Sequence, residues 1–119
     1  MKYRMVLTIA TVTALLSSMP ALAADNVQSM LQSNGCTACH TKSQKIIGPA
    51  WGWVAYHYQG KKNAADPVTN FIIKGGVGYW KKWTGLIPMP PHPTLSKVQA
   101  KEIARWILAQ PPIKPPTRN

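Results

Sequence analysis

The 119-residue chain is poor in acidic side chains and in cysteine, with only three Asp or Glu residues and two Cys. Three acids argue against a hydrolase built on paired carboxylates, because that chemistry needs two of them held together. Two cysteines are too few for the disulfide framework of a miniature scaffold. The 45% apolar content excludes an intrinsically disordered chain. What remains is one small basic domain, with 14 Lys and Arg and a formal net charge of +11.

The N-terminus has the three parts of a secretory signal peptide. Lys2 and Arg4 make a positive start, residues 5–16 are mainly apolar, and residues 21–23 (Ala-Leu-Ala) form a small-residue cleavage site. A membrane-spanning helix needs roughly 20 apolar residues, so an uncleaved anchor is the weaker interpretation. The sequence therefore predicts that residues 1–23 are a signal peptide and that the mature protein is exported to a bacterial periplasm.

The mature chain is expected to be one all-α domain of three to five helices over residues 24–110, followed by a proline-rich extended tail over residues 111–119. No stretch shows the alternating pattern of a strand, and residues 75–95 are too rich in glycine and proline for a helix. So long a loop in a small domain is usually functional. A domain of this size buries little surface, so a disulfide, a metal or a large buried cofactor would help to stabilise it.

Capping residues indicate where the helices begin. Asp25 or Asn26 can cap a first helix that reaches residue 34, and Asp66 can cap a helix that ends near residue 74. Ser96 and Gln99 form a capping box before the last helix. A further short helix is expected over residues 51–59. The last helix carries apolar residues at core-facing spacing, namely Ala100, Ile103, Ala104, Ile107 and Leu108.

The segment CTACH at residues 36–40 is the attachment signature of c-type haem. Two thiols, Cys36 and Cys39, can add across the two vinyl groups of haem and form thioethers. A spacing of two residues places both sulfurs at one edge of the ring. The adjacent His40 is then brought under the iron as the proximal ligand.

Three other interpretations of this segment compete with haem attachment. A thioredoxin-like redox pair is typical of a βαβ context, which the sequence lacks. A structural disulfide would close a very small loop and remove little entropy from the unfolded chain. Half a zinc site would need a fourth ligand beyond the motif, such as His57 or His92.

The second axial position of the iron has four candidates in the mature chain. Met30 lies on the apolar face of the first helix and is best explained as core filler. Met89 has prolines on both sides, which restrict the backbone and favour a held thioether. His92 is its rival, and His57 is best explained as an ordinary histidine of the second helix.

Several segments taken in order resemble the short bacterial class I cytochromes c over about residues 26–110: CTACH, KIIGPAW, IIKGGVGYW, GLIPMPPHPTLS and EIARWILAQ. The resemblance implies the small class I cytochrome c fold around one covalently bound haem c. It also implies a periplasmic monohaem electron carrier rather than an enzyme.

Individual site residues also follow from the resemblance. It implies that Cys36 and Cys39 hold the haem covalently, with His40 as the proximal and Met89 as the distal iron ligand. The carbonyl of Pro49 would accept a hydrogen bond from the free imidazole N–H of His40, which would fix the tautomer.

The resemblance further implies that an indole N–H donates to a haem propionate. Trp83 is the candidate, although it lies one residue further from the methionine than the usual pattern, and Trp80 is the alternative. The first and last helices would cross near Ile103 and Trp106. Ile72 stands where relatives often place a basic residue, and the proline-rich tail is additional.

The sequence thus predicts a soluble periplasmic carrier that shuttles single electrons through a His40/Met89-ligated iron. If Met89 does not bind iron, the alternatives are ligation by His92, or a haem enzyme or gas sensor with an open distal site. An acidic redox protein (a reductase, oxidase, peroxidase or dehydrogenase) is the expected partner, unless the lysines merely solvate the domain. Nucleic acid and a stable membrane span are not expected, and the protein is expected to be a monomer. The lysines concerned are Lys42, Lys45, Lys61, Lys62, Lys81 and Lys82.

Overall fold

Five α-helices form the framework of residues 21–118, the part of the chain that this computed structural model describes. They are α1 (Ala21–Ser33), α2 (Trp51–Tyr58), α3 (Ala65–Lys74), α4 (Lys81–Thr84) and α5 (Lys97–Leu108), and a 3₁₀ turn occupies Cys36–Ala38. Extended pairing in this part of the chain is limited to two isolated bridges. The all-α prediction is confirmed. None of the helices described has the length and apolar character that crossing a bilayer requires.

Helix α5 is the central element, and it packs against α3, α2 and α1. Its inward face is buried at the predicted spacing, through Ala100, Ile103, Ala104 and Ile107. The predicted capping box is present: Ser96 Oγ accepts from the Gln99 N–H at 3.1 Å, and Gln99 Oε1 accepts from the Ser96 N–H at 3.0 Å. Two otherwise unsatisfied backbone donors are thereby bonded at the start of the helix.

Helix α1 extends further towards the N-terminus than predicted. It begins at Ala21, so Asp25 and Asn26 lie inside the helix and the prediction that either one caps it is wrong. Residues of the predicted signal peptide before Ala21 lie outside the described part of the chain. The apolar face is as expected, with Val27, Met30 and Leu31 buried.

The start of α3 also differs from the prediction. The helix begins at Ala65, and Asp66 occupies its first turn instead of the N-cap position. The N–H of Asp66 is bonded to the carbonyl of Asn63, so the chain already turns before the aspartate. Its carboxylate lies 3.1 Å from Nζ of Lys101 on α5. A negative charge in this turn still favours the helix through the macrodipole.

The long loop over residues 75–95 is not entirely irregular, because it contains α4. The short stretch between Gly78 and Gly85 has neither glycine nor proline, which leaves room for one helical turn. The N–H groups of Trp83 and Thr84 both bond to the carbonyl of Trp80.

Candidate cofactor site

One cavity of about 290 Å³ brings together most of the residues that the sequence singled out. Cys36, Cys39, His40, Pro49 and Met89 all line it, and apolar side chains from four helices supply most of the remaining wall. The volume far exceeds the space that a single buried water needs. The cavity is therefore built for a large apolar group.

The cysteines lie on a tight turn at the cavity wall. The N–H groups of Cys39 and His40 both bond to the carbonyl of Cys36, at 3.2 and 3.0 Å, which winds the motif into a single 3₁₀ turn. Both thiols are free and partly buried, and burial raises the pKa of the Cys36 thiol. Neither His57 nor His92, the two candidates for a fourth zinc ligand, lines this cavity.

Three neighbours hold the imidazole of His40. Its Nδ1 donates to the carbonyl oxygen of Pro49 at 2.7 Å, a role assigned from the acceptor because a carbonyl cannot donate. The ring stacks on Trp51 with centroids 6.0 Å apart. A Cβ on Gly48 would lie 2.3 Å from His40 Cε1, so only glycine lets the loop approach the ring. Burial is the main cause that lowers the pKa of His40, which favours the neutral ring.

The backbone of Met89 is held by a two-bond bridge. The N–H of Gly76 donates to the Met89 carbonyl at 2.9 Å, and the N–H of Met89 donates to the Gly76 carbonyl at 2.8 Å. A Cβ on Gly75 would lie 2.4 Å from the Met89 carbonyl oxygen. The rival His92 is engaged elsewhere, since its Nδ1 lies 3.1 Å from the carbonyl of Ile72.

The two candidate tryptophans are placed differently. Trp80 lines the cavity, whereas Trp83 is absent from its lining. The indole N–H of Trp83 donates to the carbonyl of Pro116 at 2.9 Å, in the proline-rich tail. The two rings are neighbours, with centroids 5.5 Å apart. A contact between either indole and a haem propionate stays a prediction.

Sequence reasoning missed three residues that shape the site: Gly48, Gly75 and Trp51. The Gly48-Pro49 and Gly75-Gly76 pairs carry a signal in the sequence, because such pairs mark turns and places where backbone segments approach closely. Their role is to let a backbone segment approach His40 or Met89 closely.

The donor set fits haem c. Two free thiols at the spacing of the attachment motif, an imidazole with one ring nitrogen already bonded, and a thioether share one largely apolar cavity. Soft sulfur and imidazole donors suit iron in a porphyrin, and an apolar wall suits the porphyrin itself.

Comparisons with known proteins agree with this fit. No model of a protein family matches the chain, but individual known proteins are similar to it. Cytochrome c-552 of Hydrogenobacter thermophilus is 40% identical over 82 residues, which covers 69% of this chain and 79% of that protein. Cytochrome c2 of Rhodocyclus tenuis is 38% identical over 81 residues, which covers 67% of this chain and 87% of that protein.

A solved structure shows the same architecture. The crystal structure of wild-type Nitrosomonas europaea cytochrome c552 matches with a TM-score of 0.63 at 37% identity, covering 70% of this chain and 98% of that one. The match confirms the predicted fold. The chain therefore belongs to the class I cytochromes c, which are electron carriers and not enzymes, each with one covalently attached haem c.

Proposed function

We propose that this protein shuttles single electrons between redox proteins of the bacterial periplasm through an iron bound by His40 and Met89. The supporting observation is that both side chains line the same cavity as the thiols of Cys36 and Cys39. A haem c bound there supplies the one-electron Fe(III)/Fe(II) couple. The residues of the chain hold this group, exclude water from it and adjust its electron affinity.

His40 is prepared for its role by the loop around Pro49. Because Nδ1 donates to the Pro49 carbonyl, Nε2 is the nitrogen left free to bind iron. A carbonyl acceptor also makes the imidazole a stronger electron donor and keeps the ring in one orientation. Pro49 thus acts on the iron only through His40.

Met89 is the better of the two candidates for the second axial position. It lines the cavity and packs against the buried core, and its bridge to Gly76 holds the backbone in place. His92 lies outside the lining and is bonded to Ile72 instead. A thioether is a soft ligand that favours ferrous iron, so ligation by Met89 raises the reduction potential relative to ligation by two histidines.

The electron needs a place to leave the protein. Ile47, Tyr79 and Ile87 line the cavity and are also 47%, 54% and 61% exposed. We call these three residues the cavity mouth. An apolar mouth allows a partner to approach closely without stripping water from charged groups.

Positive charge near the mouth favours an acidic partner. The only acids with described side chains, Asp66 and Glu102, lie on α3 and α5, and Asp66 is paired with Lys101. Uncompensated lysines would steer an acidic redox protein towards the mouth, so electron transfer to it should slow as salt is added. Four exposed lysines flank the mouth residues in sequence: Lys42, Lys45, Lys81 and Lys82.

Substitution of the two candidate ligands tests the ligation. In the ferric haem protein, Met89→Ala should abolish the weak far-red absorption band of a methionine–iron bond and lower the reduction potential. His92→Ala, the matched control, should leave both unchanged. A band that survives in Met89→Ala but is lost in His92→Ala contradicts the proposal.

The mature protein tests the export. Mass spectrometry of protein purified from a periplasmic extract should show a chain that begins at Ala24 and carries the mass of one haem. A chain that retains residues 1–23, or that stays in the cytoplasmic fraction, contradicts the periplasmic assignment.

A further inference from the structure

The C-terminal residues 111–118, here called the strap, run back over the helices. We propose that the strap is part of the surface that docks an acidic redox protein, because it is bonded to α4, next to the mouth residue Tyr79, and adds the exposed cations Lys114 and Arg118 to the lysines of α4. This inference rests on the proposed function and names a further part of the surface that the same partner would use. Three separate contacts hold the strap in place.

The first contact joins the strap to α2. The N–H of Ile113 donates to the Gly52 carbonyl at 2.9 Å. A Cβ on Gly52 would lie 2.8 Å from Ile113 Cδ1 and 2.9 Å from the Pro111 carbonyl oxygen. Glycine inside a helix costs about 1 kcal/mol relative to alanine, so its presence in buried α2 calls for a reason. The reason is that only glycine leaves room for the strap.

The other two contacts join the strap to α4. The indole N–H of Trp83 donates to the Pro116 carbonyl at 2.9 Å, and the guanidinium of Arg118 donates to the carbonyl of Lys82. An isolated helix of four residues is far below the length that is stable in water, so α4 depends on such outside support. Proline within the strap restricts the unfolded chain, so the strap loses less conformational entropy when it packs against the helices.

Trp83 connects the strap to the cavity mouth. Its ring lies 5.9 Å from that of Tyr79, a mouth residue, and 5.5 Å from that of Trp80, which lines the cavity. The ring centroid of Trp53, on α2, lies 6.2 Å from that of Trp83. The strap is therefore bonded to a side chain that neighbours the mouth residue Tyr79, and Arg118 is bonded to the residue before Trp83.

The charged side chains of the strap and of α4 are all positive. Lys114 and Arg118 on the strap are exposed, as are Lys81 and Lys82 on α4, and neither segment contains an acidic residue. Among the described side chains, those of residues 26–118, the one ion pair is Lys101 with Asp66, which lies on α5 and α3 and not on either segment. Cations held together without carboxylates repel one another, and an anionic partner relieves that repulsion. This complementarity identifies the partner as an acidic protein.

Small redox reagents of opposite charge test the strap in the haem protein. The strap variant Lys114→Gln/Arg118→Gln is compared with Lys97→Gln/Arg105→Gln, which removes the same charge from exposed positions on α5. At low salt the strap variant should be oxidised by anionic hexacyanoferrate(III) about threefold more slowly than the unsubstituted protein, and the α5 variant nearly unchanged. With cationic tris(phenanthroline)cobalt(III) the strap variant should instead react faster. Both differences should vanish at high salt.

Hydrogen exchange of the Trp83 indole N–H gives an independent readout of the strap contact. It should be protected in the full chain and exchange rapidly in a chain that ends after Pro112. Equal slowing of the two charge variants, or an unprotected Trp83 N–H in the full chain, overturns the inference.

The two proposals can fail separately. The strap variant should keep the reduction potential and the methionine–iron band of the unsubstituted protein. If its oxidation by hexacyanoferrate(III) is not slowed, only the proposal for the strap is contradicted. Failure of the Met89→Ala test concerns ligation alone.

Discussion

The carbonyl oxygen of Pro49 accepts a hydrogen bond from Nδ1 of His40 at 2.7 Å, across nine residues of chain. The same two segments are joined again where the N–H of Gly48 donates to the Cys39 carbonyl at 2.8 Å. The attachment motif and the Gly-Pro segment therefore form one closed unit. This unit orients the imidazole through contacts supplied by the protein alone.

Gly48→Ala tests how closely this unit is packed. The new Cβ would lie 2.3 Å from His40 Cε1, so the ring or the loop must shift and the bond to Pro49 is strained. We expect a loss of about 1–3 kcal/mol in the free energy of unfolding, typical of overpacking, and a lower yield of haem-bound protein. Thermal unfolding and the visible absorption of purified protein measure the two effects.

Gly60→Ala is the control for that substitution. No atom lies within 4 Å of a Cβ at Gly60, so only its left-handed backbone, with φ of +75°, should cost about 1 kcal/mol. Gly60→Ala should keep its full haem content. The same haem content in Gly48→Ala, with a loss of stability clearly below about 1 kcal/mol, would argue against close packing around His40.

Gly75→Ala tests the support of Met89. Gly75 and Gly85 have nearly equal positive φ angles, +67° and +72°, so alanine pays a similar backbone penalty at each. Only at Gly75 would the Cβ meet the Met89 carbonyl oxygen, at 2.4 Å. We expect Gly75→Ala to be less stable than Gly85→Ala by about 1–3 kcal/mol in denaturant titrations, and to weaken the methionine–iron band. Equal stability and an equal methionine–iron band in the two variants would contradict a role of Gly75 in supporting Met89.

Ile103→Ala tests the central position of α5. Ile103 is 1% exposed, whereas Val98 on the same helix is 70% exposed. Removing the buried side chain should lower the free energy of unfolding by about 2–5 kcal/mol. Val98→Ala should change it by about 0.5 kcal/mol or less. Chemical denaturation of both variants gives the comparison, and similar values would contradict the observed core.

His57 should make stability depend on pH. Burial, and secondly the charge of Lys61, lower the pKa of His57 in the folded protein. The unfolded chain therefore takes up the proton first, and the contribution of His57 to stability is complete above its ordinary pKa of about 6.5. As the pH falls through and below that value, this contribution should be lost. Unfolding free energies of the unsubstituted protein and of His57→Gln should show a steeper acid loss in the former, and parallel curves would refute the assignment.

Local signals predicted the elements that local contacts build. The Ser96–Gln99 capping box and the apolar spacing of α5 were predicted correctly because both involve residues within a few positions of each other. The Asp66 cap was wrong because the chain turns before it, and α4 was missed because glycine and proline dominate the surrounding loop. The bond from Trp83 to Pro116 spans 33 residues, and no local pattern announces it.

The sequence by itself predicted the cofactor, because the spacing of the two thiols and the imidazole within residues 36–40 is that of the haem attachment motif. Only the tertiary packing decided which second sulfur or nitrogen shares the cavity with His40. It also decided which loop approaches the His40 ring and where the proline-rich tail lies. The physical reason is that these features join residues far apart in the chain, such as Gly52 and Ile113, and depend on whether a single Cβ fits between two segments.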